Sequence, residues 1–306
     1  MDEHLQDYLR SIGITEGVTA TYPSCEVCAG TQHRVLVERV MADGGISRCL
    51  PIVACTHCGF IFQSPRFNKL FYDTYYNRYY RLMLFGDTQP ERDFIHDQIR
   101  RGEHLCRNLI HRFTAPGRLL DVGCSAGGLM VPFAKRGWEV LGTDPDLAYV
   151  EFGKSRLGLC IEPVSAEDMV LPPAHFDLII INGSLEHVFD VNEVLARCRP
   201  ACKPGAMLLI EGRAWNHGIG NGHFTHNHRR YLTARSIELL MLKHGWNPVV
   251  STEDALCGPT RPGAVFVLGK ASAALDVLAI DAEIRNGRRD DVESLRQRLV
   301  HVEGAA

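Results

Sequence analysis

Leu119-Leu120-Asp121-Val122-Gly123-Cys124-Ser125-Ala126-Gly127-Gly128 is the stretch on which the fold turns. A short apolar run enters a glycine-rich turn, and a helical pattern near Gly128–Arg136 follows. Such a turn lets backbone approach a ligand closely, and the helix behind it offers N–H groups without partners in the helix. The read-out continues on both sides. RLLDV, EVLGT, DLIII and AMLLIEG are short apolar runs, alternating with helical stretches near Gly128–Arg136, Leu147–Leu157 and Val191–Cys198. That alternation predicts a parallel sheet with helices on both faces. A helix near Ala234–His244 and strands at Pro248–Thr252 and Gly263–Gly269 finish the sheet, and Leu275–Val302 reads as an exposed charged helix.

The glycine spacing is GxxxGG, not the GxGxxG that cradles a dinucleotide pyrophosphate. Asp121, two residues before Gly123, repels a phosphate and attracts a cation, which points to a sulfonium cofactor bearing an ammonium group. Asp144, in GTDPD at the end of the next strand, can accept both ribose hydroxyls, and its spacing suits either cofactor.

The 306 residues carry a net charge of -3 and are 45% hydrophobic and 23% charged, which excludes disorder, a collagen-like repeat and a strongly basic nucleic-acid binder. No run of 18 apolar residues is present, and the opening MDEHLQDYLRSIG lacks a basic and then apolar leader, so the cytosol is the expected location.

Of eleven cysteines, four form two tight pairs, Cys25/Cys28 in CEVCAG and Cys55/Cys58 in CTHCGF. An odd total with no secretion signal argues for reduced thiols and a metal site. Two turns that each present two thiolates complete a tetrahedral shell, so a structural zinc ion is expected on these four residues. His33, His57 and Cys49 lie nearby as bystanders.

Two further segments carry chemistry. Trp215–Tyr231 holds four of the chain's fourteen histidines. His223, His226 and His228, with Tyr231, are candidates for acid–base work on an acceptor. A capping and loop-ordering role, or a second metal site, stays open for them. The run from Phe71 to Phe85 contains seven aromatics. Its tyrosines (Tyr72, Tyr75, Tyr76, Tyr79, Tyr80) either pack the cysteine module against the main domain or form a lid over a ring substrate.

LLDVGCSAGGLM, VLGTDPD, VSAEDM, FDLIIINGSLEHV and CKPGAMLLIEG, in this order, resemble the motifs of class I S-adenosylmethionine-dependent methyltransferases. The resemblance implies an α/β fold, a Rossmann-like doubly wound seven-stranded sheet carrying a small N-terminal zinc ribbon. It implies that Asp121, Gly123, Cys124, Ser125 and Gly127 line the methionine and sugar portions of the cofactor. Asp144 with Pro145 would bind the ribose, Ala166 and Glu167 flank the adenine, and Asn182, Gly183, Ser184 and His187 border the transferred methyl. Ser165 stands where the family commonly has an acid. His187 is open between a catalytic role and a structural one beneath the loop.

The expected division is 1–20 a helical lead, 21–66 the zinc ribbon, 67–115 an aromatic linker and helix, 116–271 the cofactor-binding domain and 272–306 a helical tail. The ribbon, linker and Tyr231-Leu232-Thr233 together resemble bacterial enzymes that methylate nucleotide-activated sugars or natural-product glycans. Methyl transfer to a hydroxyl of such a small molecule is the expectation, and the short stretch after the last strand favours O- over C-methylation. An RNA methyltransferase gripping RNA with its ribbon is one alternative, although the ribbon is poor in Arg and Lys. A non-catalytic binding protein is the other.

Overall fold

The computed structural model describes residues 3–14, 16–38, 40–42, 46–48, 50–213, 225–259 and 263–287. The lead forms α1 (Glu3–Ser11), whose Leu9 packs inward with Ile12 and Ile14 just beyond the helix. The cysteine segment then folds into an antiparallel sheet of β1 (His33–Val37), β2 (Ile52–Cys55) and β3 (Ile61–Gln63). Each cysteine pair sits on a knuckle of one design. Cys25 N–H donates to Gly30 O and Cys55 N–H to Phe60 O, both at 2.9 Å, while Ala29 and Gly59 donate back to Cys25 O and Cys55 O. The last two bonds require positive φ, 60° at Ala29 and 79° at Gly59.

The aromatic run becomes α2 (Lys69–Arg78) and α3 (Tyr80–Phe85), followed by the amphipathic α4 (Arg92–Leu109). The main sheet comprises β4 (Arg118–Val122), β5 (Glu139–Thr143), β6 (Cys160–Glu162), β7 (Phe176–Ile181), β8 (Cys202–Arg213), β10 (Trp246–Thr252) and β11 (Ala264–Ala271). Between β8 and β10 the chain makes the short strand β9 (Arg230–Tyr231). In space the seven strands run β6-β5-β4-β7-β8-β11-β10. The pairs from β6 to β8 are parallel, and β11 is antiparallel to both neighbours. Central strands read as near-continuous apolar runs because helices cover both faces. α5 (Leu147–Leu157), α6 (Val191–Ala201), α7 (Ala234–Lys243) and α8 (Val277–Asn286) supply part of that cover. α5 and α6 start on Asp146 and Asp190, whose side chains accept two backbone N–H groups each.

Two expectations need correction. The cysteine module is not separate: β9, from the main domain, pairs antiparallel with β3 as the edge of the module's sheet. One core runs through both parts, with Val27, Phe60 and Phe62 in the same cluster as Ile181, Ile210 and Leu239. The tail helix is not fully exposed, since Ile280 and Ile284 are buried in that cluster. Residues beyond 287 lie outside the described ones. Among the described residues no helix is long and apolar enough to cross a membrane.

Candidate functional site

A cavity of about 870 Å³ opens at the carboxyl ends of β4, β5 and β7. The strand order reverses between β4 and β7, which is where open α/β sheets hold their ligands. Its floor is the glycine turn. Gly123 takes φ +73°, and a Cβ there would come to 2.5 Å from Ser184 Cβ, so the turn lies tight against the loop after β7. Ser184 Oγ completes that contact by donating to Val122 O at 2.6 Å.

Asp121 and Asp144 supply the charge. Asp144 Oδ2 accepts the Ser125 N–H at 2.7 Å, and Oδ1 accepts the Asp146 N–H at 3.0 Å. The first bond holds Ser125 at φ 57°, a left-handed conformation costly for a residue with a Cβ. Asp121 is 2% exposed, and burial first, then the Asp144 carboxylate, pushes its carboxyl up to about 7. Burial also raises Asp144. Two desolvated acids at one end of a cavity fit a cationic ligand, which would stabilise both ionised forms.

Among the expected cofactor residues, Asp121, Gly123, Cys124, Ser125, Asp144, Pro145, Ala166, Glu167, Asn182, Gly183, Ser184 and His187 line this cavity. Gly127 does not. It caps the following turn at φ +78°, and a Cβ there would meet Leu159, Met130 and Ile161, so its smallness serves packing behind the loop. Glu167 turns its carboxylate onto the Phe189 and Asp190 backbone N–H groups, fixing the entry to α6. Arg81, from α3, closes one wall by reaching Asp146 at 3.0 Å and Ser125 Oγ at 3.2 Å, with its guanidinium 3.9 Å from the Tyr149 ring centroid.

Another part of the lining carries aromatic rings and two imidazoles. Tyr72 and Tyr76, one helical turn apart on α2, face the cavity together with Tyr80, His187, Phe189 and His228. Tyr76 Oη lies 3.1 Å from His187 Nδ1, which is also 3.1 Å from Asn227 O. The His187 and His228 rings stand 4.8 Å apart. Burial first, and His228 second, push His187 down to about 3, so it is neutral across the physiological range. Glu186, His187 and His228 bring one ligand atom each within 4.8 Å of one another.

Of the expected catalytic residues, His228 alone both lies among the described residues and lines the cavity. His226 is 0% exposed, with its ring against Phe67, Phe71 and Tyr75, and is a core residue. The turn through 226–227 sends side chains two apart in opposite directions, inward at His226 and toward the cavity at His228. Tyr231 is buried in β9 away from the cavity and packs in the core of the cysteine module. His223 lies outside the described residues. The pairing of Tyr76 with His187 was not singled out from the sequence, although the spacing of Tyr72 and Tyr76 places them on one helix face.

The four cysteines converge as expected. Their Sγ atoms all lie within 4.8 Å of one another, with Cys25–Cys58 at 3.4 Å and Cys28–Cys55 at 3.5 Å. Four thiols at that spacing, on matched knuckles, suit a tetrahedral zinc ion with no open position.

The family model for a methyltransferase domain matches residues 96–251. A ubiquinone biosynthesis O-methyltransferase of Rhodopseudomonas palustris (strain BisB18) is 36% identical over 98 residues, 30% of this chain and 38% of that protein. Its counterpart from strain HaA2 is 28% identical over 157 residues, 45% of this chain and 61% of that protein. The chain thus spans less than two thirds of the curated relatives it matches. A Burkholderia thailandensis 1,6-didemethyltoxoflavin-N1-methyltransferase structure, with bound 1,6-didemethyltoxoflavin and S-adenosylhomocysteine, superposes at TM-score 0.46 with 18% identity, covering 57% of this chain and 79% of that one. With its model match across half the chain, the protein belongs to the methyltransferase-domain family.

Proposed function

We propose that this chain transfers a methyl group from S-adenosylmethionine to a hydroxyl of a small ring-bearing acceptor, with a structural zinc ion in the cysteine cluster. One observation carries the reading: a single cavity joins the acidic pair Asp121/Asp144 to the imidazole pair His187/His228. Bound S-adenosylmethionine supplies a methyl already activated on a sulfonium centre. Asp121 would face its ammonium group, and Asp144, whose oxygens keep lone pairs beyond the two backbone bonds, would receive the ribose hydroxyls.

On the acceptor side, Tyr76 and Tyr80 offer faces for a ring. His228 is the base in this reading and takes the hydroxyl proton as the oxygen is methylated. His187 stays neutral beside it, so a proton arriving on His228 meets no positive ring. Catalysis otherwise rests on positioning.

The nucleotide-linked sugar expected from the resemblance fits the wall less well than an uncharged glycan or phenol. The cations facing the cavity are already engaged: Lys69 with Asp73, Arg81 with Asp146 and Arg101 with Asp97. Arg229 lies 3.6 Å over the Tyr72 ring centroid. Arg66, in the cysteine module, turns inward onto Glu26, which speaks against an RNA-gripping face.

Incubation with labelled S-adenosylmethionine and panels of glycans, phenols and nucleotide sugars tests the reading; label on an uncharged hydroxyl is expected, and label only on RNA would overturn it. A second reading rests on the Glu186–His187–His228 trio, whose spacing would let a divalent cation orient the acceptor oxygen. Activity that EDTA abolishes and magnesium restores would favour it.

A further inference from the structure

Glu26 is an acid placed inside a metal knuckle, between Cys25 and Cys28, yet it faces away from the sulfurs. Its carboxylate accepts from Arg230 Nε at 2.8 Å and Arg230 Nη2 at 2.7 Å, a two-pronged bond across 204 residues of chain. Arg66 Nη1 adds a third donor at 3.2 Å, and Lys243, from α7, donates to the Glu26 backbone oxygen at 2.7 Å. Both partners of the main pair are withdrawn from water, with side chains 0% exposed at Arg230 and 6% at Glu26.

Arg230 spends its remaining donors on one loop. Nη1 donates to Leu185 O and Val188 O, each at 2.7 Å, and Nη2 reaches Phe189 O at 3.2 Å. These carbonyls bracket His187. The neighbouring Arg229 N–H donates to Glu186 O at 3.1 Å, and its guanidinium donates to His187 O. Every carbonyl from Leu185 to Phe189 is therefore held from the segment that also forms the edge of the module's sheet.

We infer that Glu26 and Arg230 are positioning residues through which the metal knuckle sets the place of the loop 185–189, and with it the His187/His228 wall. The cysteine cluster is thus a registration device for the acceptor half of the site as well as a brace for its own module. Geometry favours this over simple stabilisation. A buried ion pair is weak evidence for stability, whereas a planar fork satisfied on every side fixes orientation. Its use in acceptor positioning rests on the proposed methyl transfer; the clamp itself does not.

Hydrogen exchange on the full, metal-loaded chain tests it, with metal content and S-adenosylhomocysteine affinity measured on the same samples. Glu26→Gln should speed amide exchange across 185–189 by about tenfold or more while retaining about one zinc ion per chain and near-normal S-adenosylhomocysteine affinity. Glu26→Asp, which keeps the charge, should restore part of the protection. Stripping metal from the wild-type chain should expose the same loop, so the test survives if Glu26→Gln does not fold. Unchanged exchange at 185–189 in both the variant and the stripped protein overturns the clamp, as does a rise spread evenly over β4, β5 and β7. Failure of S-adenosylhomocysteine to bind the wild-type chain would overturn the methyl-transfer reading and leave the exchange result standing.

Discussion

Asp121 and Asp144, at the ends of neighbouring parallel strands, share one desolvated end of the cavity, and the ionised Asp144 is part of what lifts Asp121 toward neutrality. A cationic ligand reverses that balance, so cofactor affinity and the charge of Asp121 are linked.

The linkage has a sign. The folded pKa of Asp121 is raised from 3.8 to about 7, so the folded protein without ligand holds a proton there between those values. Affinity for S-adenosylmethionine should therefore rise as pH climbs from about 5.5 to 7 and level off above. Calorimetry across this range should show that slope, and Asp121→Asn should flatten it. Without ligand the same group makes the fold less stable as pH rises through this window, to a plateau above about 7.

Asp144→Ala should weaken S-adenosylhomocysteine binding by more than tenfold, measured by calorimetry. On the proposed function, lost ribose hydrogen bonds would account for part of this loss. The rest comes from Ser125, whose left-handed backbone loses the acceptor for its N–H. Asp144→Asn keeps the shape and should fall between. Equal affinities for wild type and Asp144→Ala would remove this aspartate from the site.

His226 and His228 should separate cleanly. His226→Ala empties a fully buried aromatic pocket and should cost about 2–4 kcal/mol in chemical denaturation, with whatever activity remains folded kept intact. His228→Ala should leave the melting curve nearly unchanged and cut turnover by about 100-fold. Reversed phenotypes would return the catalytic role to His226.

His187 should make the fold acid-sensitive. Its folded pKa is lowered from 6.5 to about 3, so stability from this residue is complete above 6.5 and is lost progressively as pH falls toward 3. The wild type should lose more stability between pH 7 and pH 5 than His187→Gln does. Matching losses would mean the ring is protonated in place.

Metal analysis should give about one zinc ion per chain, abolished in Cys25→Ser. Because Val27 and Phe60 share a core with Ile181 and Ile210, loss of metal should also lower the melting point of the main domain. A metal-free module with unchanged thermal stability would refute the site.

Much of this was legible in the sequence. The order of β4, β5, β7 and β8 with their helices follows from short apolar runs, because strands buried on both faces leave no other pattern. The cysteine site follows from two spacings, and the acidic pair from its place beside a glycine turn. What was illegible depended on direction. No periodicity tells that His226 points into the core and His228 out of it, since both lie on a turn. Gly127 looked like a ligand glycine, and only its neighbours Leu159 and Met130 reveal a packing glycine. Arg229 and Arg230 are buried against partners more than 150 residues away in the chain, Tyr72 and Glu26, which no local pattern shows.

Strand β9 also orders events in time. On the ribosome the cysteine knuckles emerge long before Arg230, 204 residues after Glu26. At roughly 5–20 residues per second that interval is roughly 10–40 s. Through it the β3 edge lacks its β9 neighbour and the Glu26 carboxylate lacks its main counter-charge, so the nascent module presents an open strand edge. The cysteine module is therefore made well before the strand that completes its sheet, and it is finished only when β9 arrives.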